Sequence, residues 1–230
     1  PGLVDCHTHS LFAGSRSDEF RRRLAGESYS AILEDGGGIL STVRATRAAS
    51  DATLERLLER RLTAFLKSGV TTVEVKSGYG LSVKEELRLC RIIGRGGWPV
   101  AVHGTFLGAH AIPTEWRSNR EGYVQAILNE MIPNLGNTVQ AIDVYCDRGA
   151  FDLEETRRIL QAGLDAGLQG RIHAEQVAFT GAAELAAGMG GLSADHLEQI
   201  DASGIQAMGA AGMGAENVRA RTTPCTNLVR

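Results

Sequence analysis

Short runs of apolar and β-branched residues alternate along this chain with longer amphipathic segments, and this alternation constrains the fold more than any other feature. Six runs are predicted to be strands, at residues 2–6, 71–76, 100–107, 141–146, 170–174 and 192–195. Apolar spacing and capping residues predict helices at 53–68, 82–94, 121–135, 152–166, 181–188 and 201–211. Because neighbouring parallel strands require a crossover connection, this order predicts a parallel α/β fold.

Two parallel architectures fit the alternation, an open doubly wound sheet and a (β/α)₈ barrel. The positions of the histidines favour the barrel. His9 ends the first predicted strand, His110 follows the third, His173 lies near the end of the fifth and His196 ends the sixth. Since the active site of a barrel is assembled at the C-terminal ends of its strands, these histidines predict a site at that edge.

Charge and composition limit the classes of partner. The 230 residues carry a formal net charge of −3, so no basic excess favours nucleic acid or an anionic membrane. No run of about 18 apolar residues predicts a membrane span, and the first residues lack the pattern of a secretion signal. The four cysteines are widely spaced without a CxxC pair, which argues against a zinc ribbon or a disulfide framework. We therefore expect a cytoplasmic protein.

His7-Thr8-His9 is the first candidate metal-binding motif. Residues two apart on a strand face the same way, so two imidazoles at a strand end can bind one metal ion. Asp195-His196 and His173-Ala174-Glu175-Gln176 add polar groups at two further strand ends. Buried polar clusters are costly unless they are paired or metal-bound, so these residues predict a metal or acid–base site. His103, in the middle of a strand, is expected to be a hydrogen-bonded core residue.

The first predicted βα connection, residues 11–50, is unusually long, and long connections in compact domains are usually functional. It contains Arg16, whose guanidinium can bind a carboxylate through two hydrogen bonds, and Tyr29 further along. An exposed surface arginine is the alternative interpretation of Arg16.

The motif PGLVDxHTH at residues 1–9 resembles the first strand of the amidohydrolase superfamily. Six further motifs narrow the resemblance to the imidazolonepropionase family: FAGSR (12–16), GGGI (36–39), TTVEVKSGYGL (71–81), TFLGAHAIP (105–113), IHAEQ (172–176) and SADHLE (193–198). The resemblance covers about residues 1–211. It implies a TIM barrel of the metal-dependent hydrolase type, with a small β-sandwich built from both chain ends. The implied reaction is hydrolytic ring opening of 4-imidazolone-5-propanoate to N-formimidoyl-L-glutamate, the third step of histidine degradation.

The resemblance also implies roles for individual residues. It implies one bound zinc or iron ion, with metal ligands at His7, His9 and His173. It implies substrate contacts at Arg16, Tyr79, His110 and Gln176, with Tyr29 as a further pocket residue. His196 matches a histidine beside the metal and is a candidate for proton transfer, while His110 or Tyr79 is expected to donate hydrogen bonds to the developing oxyanion. The implied partner is a small-molecule substrate, and the full-length form is expected to be a homodimer.

The end of the chain departs from the family pattern. In the family a metal-binding Asp ends the eighth strand, and residues 212–230 contain no match to it and no apolar run. We therefore expect an incomplete barrel of about six βα units without the flanking β-sandwich, formed by residues 1–211, followed by an atypical and non-native tail at 212–230. Two alternatives to the implied activity are open: another amidohydrolase, such as a purine or pyrimidine deaminase, and an inactive fragment.

Overall fold

Seven parallel strands form one sheet in the computed structural model, which describes residues 1–28, 31–32 and 35–216. Each strand pairs with the next along the chain. In chain order the strands are β1 (Leu3–Asp5), β2 (Val70–Lys76), β3 (Ala101–Ala109), β4 (Ala141–Cys146), β5 (Gln169–Ala174), β6 (Ser193–His196) and β7 (Gly214–Glu216). A doubly wound sheet reverses its strand order at a switch point, whereas this consecutive order is that of a barrel. The barrel interpretation is confirmed, with β1 and β7 each paired on one side only within the described residues.

Most ends of the helices that connect the strands lie within two residues of the ends predicted for the amphipathic segments. In chain order the α-helices of the described residues are α1 (Ser17–Leu24), α2 (Ile39–Ala48), α3 (Asp51–Lys67), α4 (Val83–Gly94), α5 (Arg120–Ala126), α6 (Leu153–Asp165), α7 (Ala182–Gly188) and α8 (Ala202–Ala211). The Asp152 side chain caps α6 together with Glu155, in the capping box that the sequence predicts.

The sequence predicts a helix over 121–135 that is interrupted near Pro133. The structure has α5 there, followed by a π-helical segment at Ile127–Met131 and a 3₁₀ turn at Ile132–Asn134 that contains Pro133. Proline has no amide hydrogen to continue a helix, which explains where the regular helix fails. The connection at 11–50 contains α1 and α2, neither of which the apolar spacing predicted.

The region after α8 contains a strand that the sequence did not predict. Gly212, with a positive φ of 64°, ends α8, and residues 214–216 pair with β6 from Ser193 to Asp195. The three residues Gly, Ala and Glu contain no apolar run that would predict a strand. The strand is identified by its pairing with β6. Residues 217–230, the rest of the predicted tail, lie outside the described residues.

The core lies between the sheet and the helices. One apolar cluster packs α3 and α4 against β2, and a second packs the later helices against β3 to β6. Residues at alternate strand positions supply the sheet's share of these clusters, among them Val73, Val75, Ile142, Val144 and Ile172. None of the helices within the described ranges has both the length and the apolar character needed to cross a membrane.

Candidate metal centre

Four histidines from three strand ends meet at the carboxyl edge of the sheet. His173 lies on β5 and His196 ends β6, while His7 and His9 follow β1. The Nε2 atom of His9 lies 3.3 Å from His7 Nε2 and 3.2 Å from His173 Nε2. The His196 ring centroid lies 5.3 Å from that of His7 and 5.2 Å from that of His173. We call these four residues the histidine cluster.

The position of His7 and His9 relative to the strand differs from the prediction. β1 ends two residues before His7, so the pair follows the strand instead of lying on it. The segment stays in line with β2 because the Lys76 amide donates to the Thr8 carbonyl at 2.9 Å. The Thr8 hydroxyl donates to the Glu74 carbonyl at 2.5 Å. Backbone pairing to β2 therefore continues beyond the strand and holds both rings at the sheet edge.

Two buried carboxylates fix the orientation of two cluster rings. Asp195 Oδ2 lies 2.7 Å from His7 Nδ1, and Asp143 Oδ1 lies 3.0 Å from His173 Nδ1. Burial opposes ionisation of Asp195, but the charge of Lys76 and the hydrogen bond from His7 lower its pKa to about 2. An ionised carboxylate only accepts, so each Nδ1 carries the proton and each Nε2 presents a lone pair.

The arrangement of lone pairs fits a metal ion. A hydrogen bond from His9 can satisfy only one of its two Nε2 neighbours, whereas a cation accepts lone pairs from all three rings. Two imidazole nitrogens bound to one tetrahedral zinc lie about 3.3 Å apart, which agrees with the 3.3 and 3.2 Å separations here. His9 Nδ1 is buried and has no hydrogen-bond partner within the described residues.

His7, His9 and His196 are neutral at physiological pH. Burial, followed by the charges of Lys76 and His173, lowers the pKa of His7 to about 3. Burial lowers the pKa of His9 well below its ordinary value, and burial with the charge of His173 lowers that of His196 to about 4. Metal ligands must be unprotonated, so these rings are in the state that binds a cation.

Alternative donor sets overlap the same centre. His7, His173 and His196 form one group whose ligand atoms lie within 4.8 Å of one another, and Asp143, His173 and Asp195 form another. The carboxylates in the second group already accept hydrogen bonds from ring nitrogens. The set of His7, His9 and His173, which the family resemblance implies, is linked by the 3.3 and 3.2 Å contacts of His9 Nε2.

Beneath the histidines lies a buried ammonium that the sequence analysis did not single out. Lys76 is fully buried, and its Nζ lies 2.7 Å from Asp143 Oδ2, 2.9 Å from Glu74 Oε2 and 3.3 Å from Asp195 Oδ2. Burial opposes the charged form of Lys76, but these carboxylates hold its pKa above the ordinary value. A signal was available in the strands, where charged residues alternate with apolar ones in the run VEVK of β2 and in AIDV of β4.

The loop between β2 and α4 brings Tyr79 to the histidine cluster. Its ring centroid lies 6.0 Å from that of His9. The fully buried carboxylate of Glu86 accepts the amide hydrogens of Gly78, Gly80 and Leu81 at 3.1, 2.7 and 2.8 Å. Glu86 thus shapes the loop, and sequence reasoning missed it because an acidic residue in a first helical turn is unremarkable.

His110 stacks on His9 with ring centroids 4.9 Å apart. Its Nδ1 lies 2.8 Å from the Gly78 carbonyl, which can only accept, so Nδ1 carries the proton. Burial, with a contribution from His173, lowers the pKa of His110 to about 4. Neutral His110 therefore offers Nε2 as an acceptor, which disagrees with its expected role as an oxyanion donor. Burial raises the pKa of Tyr79, so its hydroxyl keeps the proton and can donate.

The remaining predicted residues have different surroundings. Arg16 is exposed at the start of α1, and its Nε lies 2.8 Å from Glu19 Oε2. Gln176 is half-buried just after β5, where its backbone amide donates to Asp147 Oδ2 at 2.8 Å. His103 is half-buried and its side chain hydrogen-bonds Gln169, as predicted, while its Nδ1 has no hydrogen-bond partner in the described part of the chain. Tyr29 lies outside the described residues.

Left-handed backbone conformations occur where β5 and β6 end. Glu175, His196 and Leu197 have φ values of 53°, 81° and 64°. Such conformations are costly for residues with a Cβ and concentrate at functional sites. The Glu175 carboxylate accepts the Ala182 amide at 2.8 Å and thereby ties the turn after β5 to α7.

Arg61 on α3 holds the segment that follows His9. Its Nη1 donates to the carbonyls of Ser10 and Phe12 at 2.9 and 2.7 Å. The guanidinium carbon lies 3.6 Å from the centroid of the Phe12 ring, a cation–π contact. An arginine in an amphipathic helix gives no sequence signal for this role.

Comparisons with known proteins agree with the motifs. The chain is 48% identical to the imidazolonepropionase of Shewanella halifaxensis over 216 residues, which is 92% of this chain and 53% of that protein. It is 49% identical to that of Burkholderia cenocepacia with the same coverage. No family model matches the chain. The chain spans about half the length of these curated relatives.

Solved structures support the fold. Ochratoxinase from A. niger aligns with a TM-score of 0.59 and 17% identity, over 95% of this chain and 52% of that chain. Adenine deaminase from Arthrobacter aurescens aligns with a TM-score of 0.58 and 15% identity, over 99% of this chain and 76% of that chain. At these identities the likeness concerns the fold alone. Together the comparisons confirm the resemblance of this chain to imidazolonepropionase, over about half the length of those relatives.

Proposed function

We propose that this chain carries the metal-binding part of a hydrolase that opens the ring of 4-imidazolone-5-propanoate to give N-formimidoyl-L-glutamate. The observation that carries the proposal is that His9 Nε2 lies within 3.3 Å of the Nε2 atoms of both His7 and His173, while burial lowers the pKa of His7 and of His9. The identity of about 49% to imidazolonepropionases supports the choice of substrate.

In this proposal His7, His9 and His173 hold one zinc or iron ion. When bound, the ion supplies hydroxide at neutral pH by lowering the pKa of water to about 7. The Asp195 and Asp143 carboxylates accept hydrogen bonds from Nδ1 of His7 and Nδ1 of His173. The protons therefore stay on Nδ1, and both Nε2 atoms are free to face the ion.

Residues around the cluster bind and orient the substrate. The Tyr79 hydroxyl donates a hydrogen bond to the oxyanion that develops from the ring carbonyl. The neutral His110 accepts a hydrogen bond from a ring N–H through Nε2. The side-chain amide of Gln176 hydrogen-bonds the ring amide of the substrate, a role that does not require it to act as a base.

Arg16 and His196 complete the proposal. Arg16, whose side chain is exposed, exchanges its partner Glu19 for the propanoate carboxylate. His196, with a pKa of about 4, takes up a proton only transiently and relays it to the leaving nitrogen. Tyr29 is proposed as a further pocket residue, on the family resemblance alone. A cytoplasmic location, a homodimer in the full-length form and the division into residues 1–211 and a separate tail are part of the same proposal.

The test is a substrate panel with the purified chain loaded with zinc or with iron. Loss of the imidazolone absorbance and formation of N-formimidoyl-L-glutamate are the expected results. Ammonia release from adenine, guanine or cytosine without ring opening would point to a deaminase. Bound metal without turnover of any substrate would support the inactive-fragment hypothesis.

A further inference from the structure

We propose that Lys76 is a positioning residue that joins two metal-ligand histidines into one unit through their carboxylate partners. The inference rests on the proposed metal centre. Lys76 lies on β2, Asp143 on β4 and Asp195 on β6, so a single ammonium spans five adjacent strands of the sheet. No contact between Lys76 and an imidazole is needed for this role.

The links from Lys76 to the rings are direct hydrogen bonds. On one side Nζ donates to Asp143 Oδ2 at 2.7 Å, and Asp143 Oδ1 accepts from the ring of His173 at 3.0 Å and from its amide at 3.2 Å. On the other side Nζ donates to Asp195 Oδ2 at 3.3 Å, and the same oxygen accepts from the His7 ring at 2.7 Å. Each imidazole is therefore two hydrogen bonds away from the ammonium.

The two carboxylates need a cation between them. Oxygens of Asp143 and Asp195 lie within 4.8 Å of each other, with both side chains fully buried. Like charges at that distance repel strongly where water is excluded. Glu74 adds a third buried carboxylate. It pairs with Lys76 and also with Arg171, whose Nε lies 3.2 Å from Glu74 Oε1. Lys76 is the cation that contacts all three carboxylates.

Removal of the ammonium is expected to disorder the orientation of both rings. Without Nζ the Asp143 and Asp195 side chains separate or turn, and the Nδ1 atoms of His173 and His7 lose a fixed acceptor. A proton on Nε2 in place of Nδ1 blocks the ligand position. Loss of an outer partner of a ligand histidine typically weakens metal binding about 10–100-fold.

The experiment compares wild type with Lys76→Met, which keeps the length of the side chain and removes the charge. Long-range ¹H–¹⁵N spectra of the metal-free protein report which ring nitrogen of His7 and His173 carries the proton. Chelator competition with Zn²⁺ measures the dissociation constant. Arg120→Met is the control, since it removes a partly exposed ion pair with Glu155, in the first turn of α6, that involves no residue of the histidine cluster.

We expect Lys76→Met to show mixed tautomers for both rings and Zn²⁺ binding about 10–100-fold weaker, while Arg120→Met shows neither change. Wild-type tautomers together with a wild-type dissociation constant in folded Lys76→Met would overturn the proposal. If circular dichroism shows that Lys76→Met does not fold, Lys76→Gln, which keeps a donor without the charge, takes its place with the same two outcomes. A wild type that binds no Zn²⁺ refutes the proposed function, and the tautomers of the metal-free protein then decide separately whether Lys76 positions the rings.

Discussion

The two faces of the sheet are built from the same strands and yet have opposite chemistry. The face toward the helices is apolar, and its residues include Val73, Val75, Ile142, Val144 and Ile172. The alternate residues on the other face are charged or titratable and equally buried, and they include Glu74, Lys76, Asp143, His173 and Asp195. Strands of a parallel sheet buried on both sides are usually apolar throughout.

The difference assigns stability of the fold to the apolar face and the proposed chemistry to the charged face. Apolar side chains on the helix face lose contact with water, which favours folding. Buried charges, in contrast, are often no better for stability than apolar residues of the same size. A face that keeps ionic groups at this cost is explained by their use in chemistry, and the four predictions below test that assignment.

Removing a proposed ligand should have the largest effect. In His173→Ala we expect kcat/KM to fall by more than the 10–100-fold typical of outer partners of a metal ligand, because one lone pair of the centre is lost. Bound metal per chain should fall with it, as measured by elemental analysis. His103→Ala, a half-buried histidine elsewhere on the sheet, is the control. Retained metal and activity in His173→Ala would remove this residue from the centre.

Truncating the apolar face should affect stability without affecting metal binding. Leu58 is fully buried on α3, and Leu58→Ala is expected to cost about 2–5 kcal/mol of unfolding free energy because a cavity remains. Leu66→Ala on the same helix, where the side chain is 43% exposed, should cost much less. Urea unfolding and Zn²⁺ titration measure the two quantities. If Leu58→Ala is fully folded and still binds Zn²⁺ more weakly than wild type, the assignment of stability and metal binding to different faces is contradicted.

Acid should destabilise the metal-free protein through the charged face. The pKa values of His110 and His196 are about 4 in the folded chain, against about 6.5 when unfolded. Between these values the unfolded state binds more protons, so stability falls as pH decreases, by up to about 1.4 kcal/mol per pH unit for each ring. Asp195, with a pKa of about 2, adds a further loss below about pH 4. Urea midpoints between pH 7 and pH 5 that do not change would contradict this.

Changing the support of the substrate loop should have the smallest effect. Glu86→Gln replaces one acceptor oxygen with an amide that cannot accept from Gly78, at a cost of about 1–3 kcal/mol. We expect a rise in KM of about tenfold, since about 1.4 kcal/mol corresponds to a factor of ten. Metal content should stay unchanged, which distinguishes the loop from the centre. Glu85→Gln, one residue earlier on α4, is the matched control.

Much of the fold could be predicted from the sequence because the strands and most helices have clear apolar patterns. The two helices of the first connection could not. In α1 no residue is buried, and in α2 two of the three buried residues are threonines, Thr42 and Thr46. The contacts that tie α1 to the rest of the connection are polar, from Glu19 to the Gly38 amide and from Arg22 to Asp35, and no apolar spacing in the sequence marks them.

The candidate site was only partly predictable for a related reason. Histidines at strand ends stand out in a sequence, and the structure brings those at 7, 9, 173 and 196 together. The ion pairs of Lys76 with Asp143 and Asp195 join residues 67 and 119 positions apart. Nothing local marks such partners, and the tautomer of His110 likewise depends on a carbonyl 32 residues away.

The contact of Arg61 with the segment after His9 has a consequence for the order of folding. The first strand and its two histidines are complete within the first nine residues, but their clamp comes from a helix about fifty residues later. Closing such a loop has an entropic cost that must be met before the contacts form. The segment that follows His9 is therefore fixed only after α3 has docked, and the proposed metal centre is complete only once His173 on β5 has joined His7 and His9.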